Sequence, residues 1–295
     1  MLIAEYWFFG IIILGFLLKR LKLLDKEQGV KLMKFVFYTT LPALILTAIP
    51  SIHLTKELLF TPFIMLFFIF GVFVFALPIT KSLNLPKKTE GALLLSCIIM
   101  NTGFFYPFVE AFFGNAGVVL LSIFDVANAI VMFSFIYFVA STYNEVVSLK
   151  QVLKKVFLSP PLLSILLGFG MLFFGLHFPA PVSSLLQILS KGNTPLLMLA
   201  VGLLLELKFS NKFYILYTIF LRMVFGLALG FIAVEMLHFT GLMRTLTLML
   251  AVAPSGFNTV VFSALEDLDK EYAVDVLTVT LLLSMAITPL ILAYL

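Results

Sequence analysis

The chain of 295 residues carries 19 Lys and Arg against 15 Asp and Glu, 12% of the sequence, while hydrophobic residues make up 62% and phenylalanine alone contributes 34. A soluble domain is about 25% charged, and no soluble fold of this length has interior enough for so apolar a chain. Lipid must therefore solvate most side chains, which excludes a soluble enzyme, a disordered linker protein and a nucleic-acid-binding domain. Cys97 is the single cysteine, so no intrachain disulfide forms and a cysteine metal cluster is not expected.

Crossing the hydrocarbon core takes about 20 mostly apolar residues. Ten such segments follow one another, at about 2–18, 31–50, 58–78, 90–112, 115–140, 156–177, 181–206, 211–234, 241–265 and 271–294. They predict an all-α integral membrane protein with ten transmembrane helices and no room for a soluble domain. The longest polar stretch, Ser141 to Lys155, reads as a loop. The first segment does not read as a cleaved signal peptide. Glu5 stands where a basic region belongs, and Lys19-Arg20 follow in place of a small-residue cleavage site.

Basic residues orient the segments. Lys19 to Lys34 follow segment 1, and Lys81, Lys87 and Lys88 follow segment 3. Lys150, Lys154 and Lys155 follow segment 5, Lys208 and Lys212 segment 7, and Lys270 segment 9. Lys56 and Arg244 alone fall on the opposite side. Both termini are thus expected on the non-cytoplasmic face of the cell membrane, and the net charge of +4 carries no message about nucleic acid.

Three local matches recur at one offset. Leu14-Gly15-Phe16 returns as Leu167-Gly168-Phe169, Thr40-Leu41-Pro42-Ala43-Leu44 resembles Asn193-Thr194-Pro195-Leu196-Leu197, and Thr102-Gly103-Phe104 resembles Ser255-Gly256-Phe257, each 153 residues apart. Segments 1–5 then correspond to 6–10. Because five is odd, the halves face opposite ways, as in secondary transporters whose site lies at the repeat interface. The expected organisation is a first five-helix repeat over 1–140, a cytoplasmic loop over 141–155 and a second repeat over 156–295.

Segments 4 and 9 are interrupted near their centres by Asn101-Thr102-Gly103-Phe104-Phe105-Tyr106-Pro107 and Ala253-Pro254-Ser255-Gly256-Phe257-Asn258-Thr259. Proline removes an amide donor and glycine permits unwinding. Backbone groups freed in hydrocarbon cost several kcal/mol each (roughly) unless they line a cavity or meet a ligand. Half-helix N-termini carry about half a positive charge, suited to an anion. Asn101, Thr102, Gly103, Pro107, Pro254, Ser255, Gly256 and Asn258 are the candidate substrate-binding residues. A kinked packing helix is the alternative. Milder breaks, Thr39 to Pro42 and Lys191-Gly192-Asn193-Thr194-Pro195, read as structural kinks, with Lys191 of interest because a mid-span lysine needs a partner or water.

On these residues the chain resembles the auxin efflux carrier family of the bile acid/arsenite/riboflavin transporter superfamily, over essentially its whole length. Asn101-Thr102-Gly103-Phe104 with Pro107 resembles the family's segment-4 crossover. Asp125-Val126-Ala127-Asn128 is similar to its polar pair in segment 5, and the run from Glu271 through Asp275 and Ser284 to Thr288-Pro289 to its closing segment. The resemblance implies a scaffold from segments 1, 2, 6 and 7, and a transport domain from segments 3–5 and 8–10 in which broken helices 4 and 9 cross. Members include plant auxin exporters and bacterial permeases associated with malate or malonate. The implied cargo is therefore a small organic anion whose carboxylate meets the crossing. Tyr106 stands where the family often has glycine, and Pro254 matches Asn101 with the amide displaced to Asn258.

Asp125 in segment 5 and Arg222 in segment 8 are charges at depth. They either pair, or Arg222 attracts the anion, or they form an ion pair without transport duty. With Asn128, Lys191, Asn193 and Thr194 they are the supporting or coupling candidates. Gly226 and Gly230 give segment 8 a GxxxG packing face. Glu266-Asp267-Leu268-Asp269 is loosely similar to magnesium-binding clusters, but a solvated carboxylate loop explains it better, and no metal or cofactor is expected. An intramembrane enzyme and a membrane sensor are the rival classes. Neutral oxygens surround the breaks without a carboxylate in either, which disfavours sodium and leaves proton coupling through Asp125, or uncoupled export. The bile-acid type of sodium symport is the closest alternative. A homodimer through the scaffold helices is left open.

Overall fold

The computed structural model describes residues 7–51, 57–144, 149–205 and 212–294; Lys56 and Lys208, used above for orientation, lie outside them. Among the described residues every regular element is helical, and the only ladder contact is one antiparallel bridge between Met100 and Ser255. Five helices are long and apolar enough to cross a membrane: Lys26–Ala48, Phe63–Ser82, Ala116–Thr142, Lys212–Met236 and Lys270–Leu292, with Pro160–Phe174 and Gly241–Ala251 as shorter apolar helices.

In chain order, α1 is Trp7–Arg20, α2 Lys26–Ala48, α3 Glu57–Ser82, α4 Lys87–Ile98 and α5 Tyr106–Val131. α5 bends at Gly114, whose φ of 59° and ψ of −152° are not helical, and runs on through a π turn into α6 (Tyr137–Thr142). Then come α7 (Leu149–Phe157), α8 (Pro160–Phe174), α9 (Ala180–Leu204), α10 (Lys212–Met236), α11 (Gly241–Ala251), α12 (Phe257–Leu265) and α13 (Lys270–Tyr294).

Local chemistry sets these boundaries. Asp25 starts α2 with a capping box: its carboxylate accepts from the Gln28 N–H at 2.8 Å while Gln28 Oε1 accepts from the Asp25 N–H at 2.7 Å. Pro160 and Pro161 open α8, where their missing donors matter least, and Gly175 closes it in the left-handed region. The two milder breaks differ. Pro42 is accommodated by a π-helical turn over Val36–Thr40, whereas Pro195 sits inside an uninterrupted α9. The stretch 141–155 is not simply a loop, because α7 occupies its second half. Leu149, Val152, Leu153, Val156 and Phe157 repeat at helical spacing, and Val152 and Val156 are buried.

The described residues divide into two compact units. One comprises Met1–Leu54, Phe133–Leu205 and Ala264–Asp267, and the other Thr55–Met132, Glu206–Ser263 and Leu268–Leu295. In the first, α1 and α9 approach backbone to backbone. A Cβ built on Gly202 would lie 2.1 Å from the Ile12 carbonyl oxygen, and one on Gly15 2.4 Å from that of Leu199. The Lys19 ammonium donates to the Leu205 carbonyl at the C-terminal end of α9, where the helix dipole favours a cation. α8 meets the end of α2 at Gly168, whose Cβ would stand 3.0 Å from Ile49 Cβ. Buried Thr40 donates through Oγ1 to buried Asn193 Oδ1 at 3.1 Å.

The acidic run after α12 is not a solvated loop. Glu266 is 1% exposed and accepts from Ser141 Oγ at 3.1 Å and Asn144 Nδ2 at 3.3 Å. In the second unit Asp269 accepts from Thr89 Oγ1 at 2.8 Å and caps α13 through the Tyr272 N–H at 3.0 Å. These carboxylates hold chain ends in place, and no group of three metal-ligating side chains gathers among the described residues.

The α1–α9 approach tolerates no side chain. We expect Gly202→Val to lower the thermal unfolding midpoint in detergent, at a cost of about 2 kcal/mol. Gly170→Val, with nothing within 4 Å of its Cβ, is expected to leave the midpoint unchanged.

Candidate functional site

The two sequence breaks meet inside the second unit. α4 stops at Ile98, and Ile99 turns the chain extended at φ −84° and ψ 119°. A short 3-10 turn over Thr102–Phe105 leads into α5, with Pro107 in its first turn. On the other side α11 stops at Ala251 and α12 begins at Phe257. The extended residues pair antiparallel. The Asn101 N–H donates to the Pro254 carbonyl at 2.9 Å, and the Gly256 N–H to the Ile99 carbonyl at 3.1 Å. Each break thus satisfies backbone groups that the other frees. Glycine is required at 256, since a Cβ there would stand 2.7 Å from Ile99 Cγ2 and 3.1 Å from the Met100 carbonyl oxygen.

Flanking helices satisfy further groups. Asn128 Nδ2, on α5, donates to the Met100 carbonyl at 3.4 Å, and the Ser255 N–H donates to Thr280 Oγ1 of α13 at 3.2 Å. Ser255 Oγ lies 3.2 Å from Thr259 Oγ1. Arg222, fully buried on a π-helical stretch of α10, donates through Nε to the Ala253 carbonyl at 3.0 Å and through Nη2 to that of Leu250 at 3.1 Å. Its cation therefore sits at the C-terminal, electronegative end of α11. One turn on, a Cβ on Gly226 would lie 2.4 Å from the Ala251 carbonyl oxygen, and one on Gly230 2.5 Å from Ala251 Cβ. Arg222, Gly226 and Gly230, spaced by four, form one face of α10 that seats the end of α11.

The charged candidates go separate ways. Thr102 Oγ1 donates to Asp125 Oδ1, so a carboxylate from α5 does reach the first break. No carboxylate lies within either break, as the sequence indicates, but Asp125 reaches the first break from α5 and sets a carboxylate beside its neutral oxygens. Arg222 makes no ion pair among the described residues, and pairing with Asp125 is not its role. The backbone carbonyls left by the broken helix take its hydrogen bonds instead. Lys191, Asn193 and Thr194 belong to the first unit: Asn193 is bonded to Thr40, and Lys191 is exposed. Thr280 and Thr259 were not singled out from sequence. Their only signal there is spacing, a threonine four residues after Ser255 and another facing it from the last segment.

Several polar atoms around the crossing have no hydrogen-bond partner although they are buried: Asn101 Nδ2, Asn128 Oδ1, Asn258 Oδ1 and Arg222 Nη1. Asn101 uses its other amide atom, Oδ1, to accept from the Phe104 N–H at 3.2 Å, which leaves Nδ2 as a donor. Gly103, beside it, is exposed. Buried polar groups without partners are rare and ask for a ligand or water. The N-terminal ends of α5 and α12 begin at this place, so their positive dipole ends lie with the amides.

Arg222→Met is expected to leave two carbonyls of the α11 end unsatisfied and to reduce stability by about 2 kcal/mol or more, read as a lower denaturation midpoint in detergent. Thr280→Val should cost less, about 1 kcal/mol, because one N–H loses one neutral acceptor.

Comparison with known proteins covers nearly the whole chain. The family model described as membrane transport protein matches residues 7–148 and 144–292. A chain named as an uncharacterized transporter from Methanocaldococcus jannaschii is 26% identical over 291 residues, 95% of this chain and 94% of the relative. An uncharacterized transporter from Methanothermobacter thermautotrophicus is 26% identical over 288 residues, 95% of this chain and 93% of the relative.

Proposed function

Because the chain belongs to the membrane transport protein family, the auxin efflux carrier family of the sequence resemblance, we propose that this multi-pass transporter is a secondary carrier for a small organic anion, a carboxylate, working by alternating access. The observation that carries the reading is the crossing itself, where unpartnered Asn101 Nδ2 lies with the N-terminal ends of two half-helices. Unpartnered amide donors and the positive ends of two half-helices favour an anionic guest. Asn101, Thr102, Gly103, Ser255, Gly256 and Asn258 hold it. Pro107 and Pro254 keep the chain unwound there, and Asn128 and Arg222 steady the two breaks.

We read the architecture as ten membrane-spanning segments in two inverted repeats. Contacts related by the sequence offset support this. Gly15 against Gly202 and Gly168 against Ile49 are the same pair under a shift of 153, and Thr40 with Asn193, like Asn101 with Pro254, joins equivalent positions directly. Such self-pairing is what a two-fold relation between halves produces. We assign the first unit as scaffold and the second as the moving transport domain. The charge distribution supports a cell-membrane location with both termini on the non-cytoplasmic side.

Asp125 is the coupling candidate, through protons. Its bond to Thr102 also favours a second reading, a sodium ion held by that carboxylate and nearby neutral oxygens, as in the bile-acid type of symporter.

Two measurements separate these readings. In proteoliposomes loaded for malate or malonate exchange, Asn101→Ala should abolish flux while leaving the amount of folded protein unchanged; flux at the wild-type rate would remove the crossing as the site. Replacing sodium with potassium should leave wild-type flux unaltered, and a steep loss would give the coupling to sodium.

A further inference from the structure

α9 carries a polar face that the packing of its own unit leaves unused. Ser183, Gln187, Ser190 and Thr194 recur at helical spacing, with Ser184 and Lys191 beside them. All six are exposed or half-buried. The Ser190 hydroxyl returns to the Gln187 carbonyl of its own helix at 2.9 Å, and none of the six bonds to another helix among the described residues. The rotation of α9 is fixed from the other side, by the buried Thr40–Asn193 hydrogen bond. Successive residues turn by about 100°, so Lys191 is rotated about 200° from Asn193, away from that packing. Leu185, 56% exposed, lies off the polar face.

Depth makes this face informative. On the ten-segment reading proposed above, with Ala180 at the membrane boundary, a rise of about 1.5 Å per residue puts Lys191 roughly 16 Å along α9, half-way through a hydrocarbon core of about 30 Å. An exposed ammonium there, with no ion-pair partner among the described residues, is not compatible with lipid contact and calls for water. The polar residues run unbroken from the Ala180 end to that depth. We propose that this face of α9 is lined by water within the membrane, and that Lys191 at its inner end draws anions along it. The anion part rests on the function proposed above; the wetness of the face rests only on the ten-segment reading.

The test uses the full chain in membranes. Cys97 is buried, so the wild-type protein is the unreactive blank for single-cysteine variants, and gel filtration confirms that each variant is folded. Ser184→Cys and Gln187→Cys should react with a membrane-impermeant methanethiosulfonate, while Leu185→Cys, facing lipid, should not. At Gln187→Cys the anionic sulfonatoethyl reagent should outpace the cationic trimethylammonium reagent once both are normalised to a free thiol. Adding Lys191→Gln should reduce that preference about tenfold, Lys191→Arg should keep it, and high salt should weaken it. Equal protection of Gln187→Cys and Leu185→Cys would overturn the wet face. A rate ratio that Lys191→Gln leaves unmoved would overturn the role of Lys191. Labelling as expected without any carboxylate flux would leave this inference standing and remove the proposed cargo.

Discussion

The crossing in the second unit depends on satisfying backbone amides and carbonyls where two helices break inside the protein. Hydrocarbon offers no partners, so each released N–H and C=O must find one in protein. The solution is reciprocal: the Asn101 N–H takes the Pro254 carbonyl and the Gly256 N–H takes the Ile99 carbonyl. That pairing requires the two strands to touch, which in turn requires glycine at 256. Asn128, Thr280 and Arg222 then satisfy groups that the bridge cannot reach. A whole face of α10 is committed to this service, with a guanidinium and two glycines bearing on the end of α11. The arrangement pairs backbone groups across the breaks while leaving the Asn101, Asn128 and Asn258 amides with unpartnered atoms, and these are what a guest would use.

The same economy explains the buried charges. An arginine in the interior is expensive unless strong hydrogen-bond acceptors surround it. Carbonyls at a helix C-terminus are such acceptors, and a broken helix has several. Asp125, in its turn, accepts from Thr102, at the start of the 3-10 turn that follows the first break. A positive group therefore attends one break and a negative group the other. The crossing is electrostatically asymmetric, and in the proposed carrier that asymmetry would let substrate and coupling ion be treated differently.

Much of this was legible in the sequence because its causes are local. Apolar runs long enough to cross lipid mark the helices, and Pro107, Pro254, Gly103 and Gly256 mark the breaks through backbone chemistry that needs no partner. The offset of 153 was visible for the same reason. What stayed hidden depends on partners distant along the chain. Nothing around Arg222 says that its acceptors are Leu250 and Ala253, and the pairing with Asp125 was attractive only because opposite charges are scarce in such a chain. Glu266 read as a solvated residue because its neighbours are acidic, whereas Ser141 and Asn144 bury it. By composition α7 belongs to a polar stretch, with three lysines among five apolar residues whose spacing, not number, makes the helix.

The central proposal is that the crossing takes a carboxylate. Thermal unfolding of the purified wild-type protein against a panel of small carboxylates and their uncharged amide counterparts tests it directly, since a ligand that binds the folded state raises its midpoint with concentration. At least one carboxylate is expected to raise the midpoint while its amide does not, and Asn101→Ala to remove the shift. A midpoint unmoved by every carboxylate, or raised equally by acid and amide, would contradict it.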